Sequence, residues 1–104
     1  YNAPALAKRV TDTMADWLGR GTLIKRQPTM GGEDFGMYGR TEHKIPIFMF
    51  ALGTVSSDLI KRFRAAGKPL PMVHSSTYAP DIEPSLRTGV TATTATALDL
   101  FAAP

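Results

Sequence analysis

Cysteine is absent from the 104 residues, so neither a disulfide framework nor a thiolate metal site can form. Long apolar runs are missing too. No stretch approaches the roughly 18 to 20 residues that cross a bilayer, and Tyr1-Asn2-Ala3-Pro4 carries no charged region followed by an apolar one. Charge of one sign is scarce: 12 basic against 9 acidic side chains leave a formal net charge of +3, too mild for a nucleic-acid surface. The densest basic cluster, Lys61-Arg62-Phe63-Arg64 with Lys68 nearby, reads as a solvated helix face. What is present is ordinary for a folded domain. Apolar content is 43% and charged content 20%, and a chain of this size holds one modest core that hides about two thirds of its unfolded surface.

Periodicity places the elements. Leu6, Val10, Met14, Trp17 and Leu18 recur at helical spacing, so residues 4–18 are expected to form an amphipathic helix with Pro4 in the first turn and Gly19 and Gly21 ending it. Residues 22–25 suit a short strand that runs into a loop at Gln27-Pro28. The run Ile-Pro-Ile-Phe-Met-Phe-Ala-Leu over 45–52 shows no polar alternation, which is the pattern of a strand covered on both faces. Pro46 is tolerable near its start. Residues 57–66 read as a short helix with a capping serine and Gly67 as its stop, and 70–73 as another brief apolar strand. From Pro84 onward Leu86, Val90, Ala97, Leu98 and Phe101 return to helical spacing, although Thr91, Thr93, Thr94 and Thr96 weaken it, so packing must hold that helix. Helices and strands in this order predict an α/β layered fold.

Two places carry candidate chemistry. His74 closes the 70–73 strand, and in open α/β sheets ligands bind beyond the carboxyl ends of strands, so its imidazole is the candidate metal ligand; the plain alternative is a hydrogen-bonded loop histidine. Gly31-Gly32 lets the backbone approach a neighbour closely, and Glu33 and Asp34 follow it. Those acids either orient a ligand or substrate, or complement the dipole of a short helix that starts near Phe35. His43 lies in a polar connector and reads as exposed. Ser75 and Ser76 adjoin His74, but no carboxylate is placed to complete a hydrolytic triad.

The Met30-Gly31-Gly32-Glu33-Asp34-Phe35 run, the apolar strand closing on Leu52-Gly53, the His74-Ser75 pair and the helix over 89–101 occur in this order in one family. The chain resembles the closing part of the metal-dependent amidohydrolases and carboxypeptidases: aminoacylase, hippurate hydrolase, the indole-acetyl amino acid hydrolases and glutamate carboxypeptidase. The resemblance spans residues 2–102 and implies several things. The fold would be the C-terminal part of a zinc-peptidase-like three-layer α/β/α catalytic domain. The N-terminal part and an inserted dimerisation domain would lie outside residues 1–104. The activity would be hydrolysis of the amide bond of N-acyl amino acids or short peptides by a metal-activated water. His74 would be the last ligand of a two-metal site that takes zinc, with manganese or cobalt as alternatives. Gly31, Gly32, Glu33 and Asp34 would serve substrate or orient ligands. No catalytic base is implied in this chain, because the family's glutamate pair falls earlier. Its partners would be the remainder of its own enzyme and, at full length, a second subunit. Neither nucleic acid nor membrane is implied. Residues 78–83 match the loop before the last helix and are expected near the site. Ser76, and the long basic run over 56–69, depart from the family pattern, and the second changes what would cover one edge of the pocket. The reading that competes with all of this is a non-catalytic α/β binding or interaction module.

Overall fold

The computed structural model describes residues 1–27 and 34–102, and divides into two units, Tyr1–Ala51 with Thr91–Pro104, and Leu52–Val90. The described residues hold three α-helices, α1 (Pro4–Leu18), α2 (Ser57–Ala65) and α3 (Ile82–Phe101), and two 3-10 helices, Arg20–Thr22 and Asp34–Arg40. α3 belongs to the second unit as far as Val90 and to the first beyond it.

The expected α/β fold is overturned, because no strand occurs among the described residues. The three-layer α/β/α arrangement, which needs a sheet, goes with it. Each segment read as a strand fails for want of a partner backbone, since β structure exists only when ladder bonds run between two chain segments. Thr22 is taken into a 3-10 turn, and Leu23, Ile24 and Lys25 are irregular. Residues 70–73 end in a turn. Residues 45–51 come closest. Phe48 and Phe50 stack with ring centroids 6.2 Å apart, the spacing of side chains two residues apart on an extended chain that rises about 3.3 Å per residue.

That extended run is held along one side by the N-terminus. The Ala3 N–H donates to the Ile47 carbonyl at 2.9 Å, and the Asn2 side chain imitates a peptide: its Nδ2 donates to the Met49 carbonyl and its Oδ1 accepts from the Met49 N–H, both at 2.9 Å. One side chain thus supplies both halves of a ladder pair.

α1 starts without a side-chain cap, but Pro4 sits in its first turn, where a missing N–H costs nothing, and Gly19 ends it at φ 86°, donating to the Ala15 carbonyl. Its buried face is Val10, Met14 and Ala15. Val10, only 1% exposed, and Met14 meet Ala92 of α3, with Leu6, Leu18 and Phe48 packed around them. Trp17, expected on this face, is instead exposed. Arg9 bridges to the far end of α3 through the Asp99 carboxylate (Nε to Oδ2, 2.7 Å) and its backbone carbonyl.

α3 turns alanines, not its large apolar side chains, to the core. Ala92 and Ala95 are buried, whereas Leu86, Val90, Leu98 and Phe101 are exposed. Thr96 folds its hydroxyl back onto the Ala92 carbonyl at 2.7 Å, which satisfies the polar group without leaving the helix.

α2 is capped by Ser56, one residue before the serine the sequence suggests. Ser56 Oγ accepts from the Leu59 N–H at 3.3 Å, and Gly67 follows the helix at φ 63°. The basic side chains of α2, Lys61, Arg62 and Arg64, are exposed as expected.

Many large apolar side chains among the described residues are left exposed, including Ile45, Met49, Phe50, Met72 and Val73.

Two measurements follow. Asn2→Ala removes both bonds to Met49, so its amide, monitored by hydrogen exchange, should lose protection while α1 amides keep theirs; unchanged Met49 protection would show that Asn2 does not hold the run. Lys8 Nζ stands 2.6 Å from Asp12 Oδ2, and this hydrogen bond, then the lysine charge, lowers the Asp12 carboxyl from its ordinary 3.8. A carboxyl lowered in the folded state stabilises above its unfolded value and loses that contribution as pH falls through the lower folded value. Helicity followed by circular dichroism should therefore decline on acidification below 3.8, and Lys8→Ala should flatten that part of the profile.

Candidate functional site

His74 does not end a strand; it sits in a turn. The Ser75 N–H donates to the Met72 carbonyl at 3.1 Å, closing a four-residue turn with Val73 and His74 at its centre, and His74 takes φ 71°. This third turn position, with left-handed backbone, is the one that type II turns give to glycine or asparagine. A histidine there carries a Cβ cost that glycine avoids. Its side chain projects from an exposed residue.

The chain around His74 is tied down by polar contacts within the second unit. A further turn follows, closed from the Tyr78 N–H to the Ser75 carbonyl at 3.1 Å, and Ser75 Oγ meets Thr77 Oγ1 at 2.8 Å. Thr54 is the anchor: its hydroxyl bonds the Tyr78 hydroxyl, and its carbonyl accepts from the Asp81 N–H at 2.8 Å. Residues 78–83 join the same assembly of turns through Tyr78 and Asp81, with Ser85 Oγ also reaching the Thr54 carbonyl at 3.5 Å. Sequence reasoning passed over Thr54. A threonine just past a Leu-Gly pair, with a tyrosine ahead of the last helix, was the available signal.

Gly31, Gly32 and Glu33 lie outside the described residues. Asp34 is described: it is exposed in the first turn of the 3-10 helix Asp34–Arg40, a place where an acid complements the helix dipole. It lines an apolar cavity of about 580 Å³ with Phe35, Met37, Tyr38 and Thr41. The Phe35 and Tyr38 rings are 5.7 Å apart and tilted by 56°, as two aromatics three residues apart on one helix face should be. That 35/38 spacing was visible in the sequence and was not used. Gly39 allows this helix to approach the extended run, for a Cβ there would stand 3.2 Å from Ile47 Cδ1.

Asp34 belongs to the first unit and His74 to the second. Among the described residues no group of three or more His, Cys, Asp or Glu side chains is gathered to hold a metal. His74 offers one imidazole, which suits a single place in a coordination shell whose remaining ligands come from elsewhere. His43 is exposed, as expected, with Glu42 Oε1 3.3 Å from its Nε2. Neither a protein-family model, nor a curated protein, nor a solved structure matches this chain.

The turn makes a direct prediction. His74→Gly removes the left-handed cost and His74→Ala does not, so the glycine variant should be the more stable of the two by about 1 kcal/mol in urea denaturation. An alanine variant at least as stable as glycine would mean that His74 does not hold this backbone conformation in solution.

Proposed function

We propose that this chain serves as the closing segment of a metal-dependent amidohydrolase acting on N-acyl amino acids or short peptides, and that His74 is the ligand it contributes to a two-metal site. The observation that carries the reading is His74 itself. A non-glycine residue in left-handed backbone, in a turn closed by the Ser75–Met72 bond and followed by a turn tied to Thr54 through Tyr78, presents an exposed imidazole. Backbone cost of this kind concentrates at functional positions. The order of the Met30–Phe35 run, the apolar run to Leu52-Gly53, the His74-Ser75 pair and α3 supports it from the sequence side.

The metal, when bound, would supply an activated water; this chain's part is to hold one nitrogen donor in place. A neutral imidazole suits zinc, and a carboxylate-rich remainder suits manganese or cobalt. Asp34, which lines the cavity with Phe35 and Tyr38, is the described candidate for contact with substrate. A second reading, a non-catalytic interaction module, is favoured by the amount of apolar surface left uncovered. A reading frame upstream that encodes a His-x-Asp or Cys-x-His pair and a Glu-Glu pair decides for the enzyme.

On this proposal the 104-residue chain alone hydrolyses neither N-acetyl nor N-benzoyl amino acids with zinc, cobalt or manganese, since one imidazole does not hold a catalytic metal. Metal-dependent turnover by the purified chain would refute the segment reading. In the complete enzyme His74→Ala should reduce both bound metal and rate while the circular dichroism spectrum stays unchanged. Full metal content in that variant would leave His74 a purely structural role.

A further inference from the structure

Both backbone groups of the residue that follows His74 are in use. The Ser75 N–H, part of the peptide that joins His74 to Ser75, donates to the Met72 carbonyl at 3.1 Å, and the Ser75 carbonyl accepts from the Tyr78 N–H at 3.1 Å. Residues 72–77 are all exposed, so water competes for the bonds of these two turns. A non-glycine residue at φ 71° persists only where its surroundings over-determine it. The contacts of Ser75 Oγ with Thr77 Oγ1 at 2.8 Å and with the Thr77 N–H at 3.2 Å are internal to the turns and do not anchor them. The anchor enters at Tyr78. Tyr78 and Thr54 are both half-buried, and their hydroxyls share a hydrogen bond across a separation of 24 residues. Further along, the Asp81 N–H donates to the Thr54 carbonyl at 2.8 Å. Thr54 therefore holds residues 78–81 at two points, through its side chain and its main chain, and a two-point attachment fixes orientation where a single bond would leave a pivot.

We infer that Thr54 and Tyr78 are positioning residues for His74: their hydroxyl pair fixes the turn from which the imidazole leaves, and so sets how tightly His74 holds a metal. The inference rests on the metal role proposed for His74. Neither residue is a ligand; both act through the backbone. The path runs from Thr54 Oγ1 to Tyr78 Oη, along the tyrosine ring to the Tyr78 N–H, and from there to the Ser75 carbonyl beside the peptide that carries His74. Tyrosine suits this task because its side chain has only two torsions, so a bond at its far end restrains the backbone it grows from. The same residue closes the second turn with its N–H and ties that turn to Thr54 with its hydroxyl, which joins the two functions in one side chain. Groups that orient a metal's ligands typically cost about 10- to 100-fold in metal affinity when removed. The Thr54–Tyr78 pair stands one step farther from the imidazole than a direct partner, which puts its effect at the lower end, about tenfold.

Two measurements test this, one on the 104-residue chain and one on the complete enzyme. In nuclear magnetic resonance of the chain, His74 should show the strong contact between its own N–H and Hα that a positive φ produces. Tyr78→Phe and Thr54→Val each delete one hydroxyl and keep the shape of the side chain; both should weaken that contact and speed amide exchange at Ser75. Thr54→Ser, which keeps the hydroxyl, should leave both readings unchanged. In the complete enzyme, zinc affinity measured against a competing chelator should fall about tenfold in Tyr78→Phe and in Thr54→Val, with helical circular dichroism retained. The double variant should lose no more than either single one, because both substitutions remove the same bond. The inference is overturned if the unsubstituted chain lacks the positive-φ contact, if Tyr78→Phe keeps it at full strength, if either single variant binds zinc as tightly as the parent, or if the double variant multiplies the two losses. Should that happen while His74→Ala loses its zinc, the amidohydrolase reading stands and only the positioning role falls. A His74→Ala enzyme that keeps its full zinc removes both.

Discussion

The peptide groups of residues 45–51 impose the constraint on which the first unit depends. Backbone polar groups out of water need hydrogen-bond partners, and among the described residues this run of apolar residues has no neighbouring strand to bond. Asn2 and Ala3 supply what is missing on one side, the first through a side chain that offers a donor and an acceptor together. Because Ala3 immediately precedes α1, the same contacts set where that helix begins. The helix then carries Val10 and Met14 to Ala92, and Phe48 closes over them. A polar asparagine at the second residue thus helps position an apolar core it does not enter.

The second unit is organised differently. Polar contacts, not apolar packing, define its loops: Thr54 receives Tyr78, Asp81 and Ser85, and two consecutive turns carry the chain through His74. None of its side chains is fully buried, and α2 and the first half of α3 keep most of their surface in water. Hydrogen bonds between half-exposed groups contribute about 0.5 to 1.5 kcal/mol each, so such a unit is held by geometry more than by depth. This arrangement leaves His74 an exposed residue.

The helices were readable because each carries its own information. Capping chemistry, Pro4 in a first turn and glycines past the ends are local signals, and α1, α2 and α3 fall within two residues of where those signals put them. Which residues of α3 would be buried was not readable, because leucines and alanines alternate around that helix. Only the contact of Ala92 with Val10 and Met14 of α1 selects the alanine face. The two other short strands failed for the reason already given for 45–51. Periodicity reports a tendency to extend, but a sheet is a relation between segments.

The candidate site divides along the same line. The sequence by itself determined which residues could do chemistry, since imidazole and carboxylate are properties of the side chain: His74, with Asp34 beside the Gly-Gly pair. It also determined that no thiolate could take part. Tertiary structure alone decided how His74 is held, because its left-handed turn arises from the Met72–Ser75 bond and the fastening of the next turn to Thr54. It alone decided that, among the described residues, the backbone groups of Phe48 and Phe50 have no hydrogen bond, for whether a peptide group finds a partner depends on what the rest of the chain brings within 3 Å or so of it.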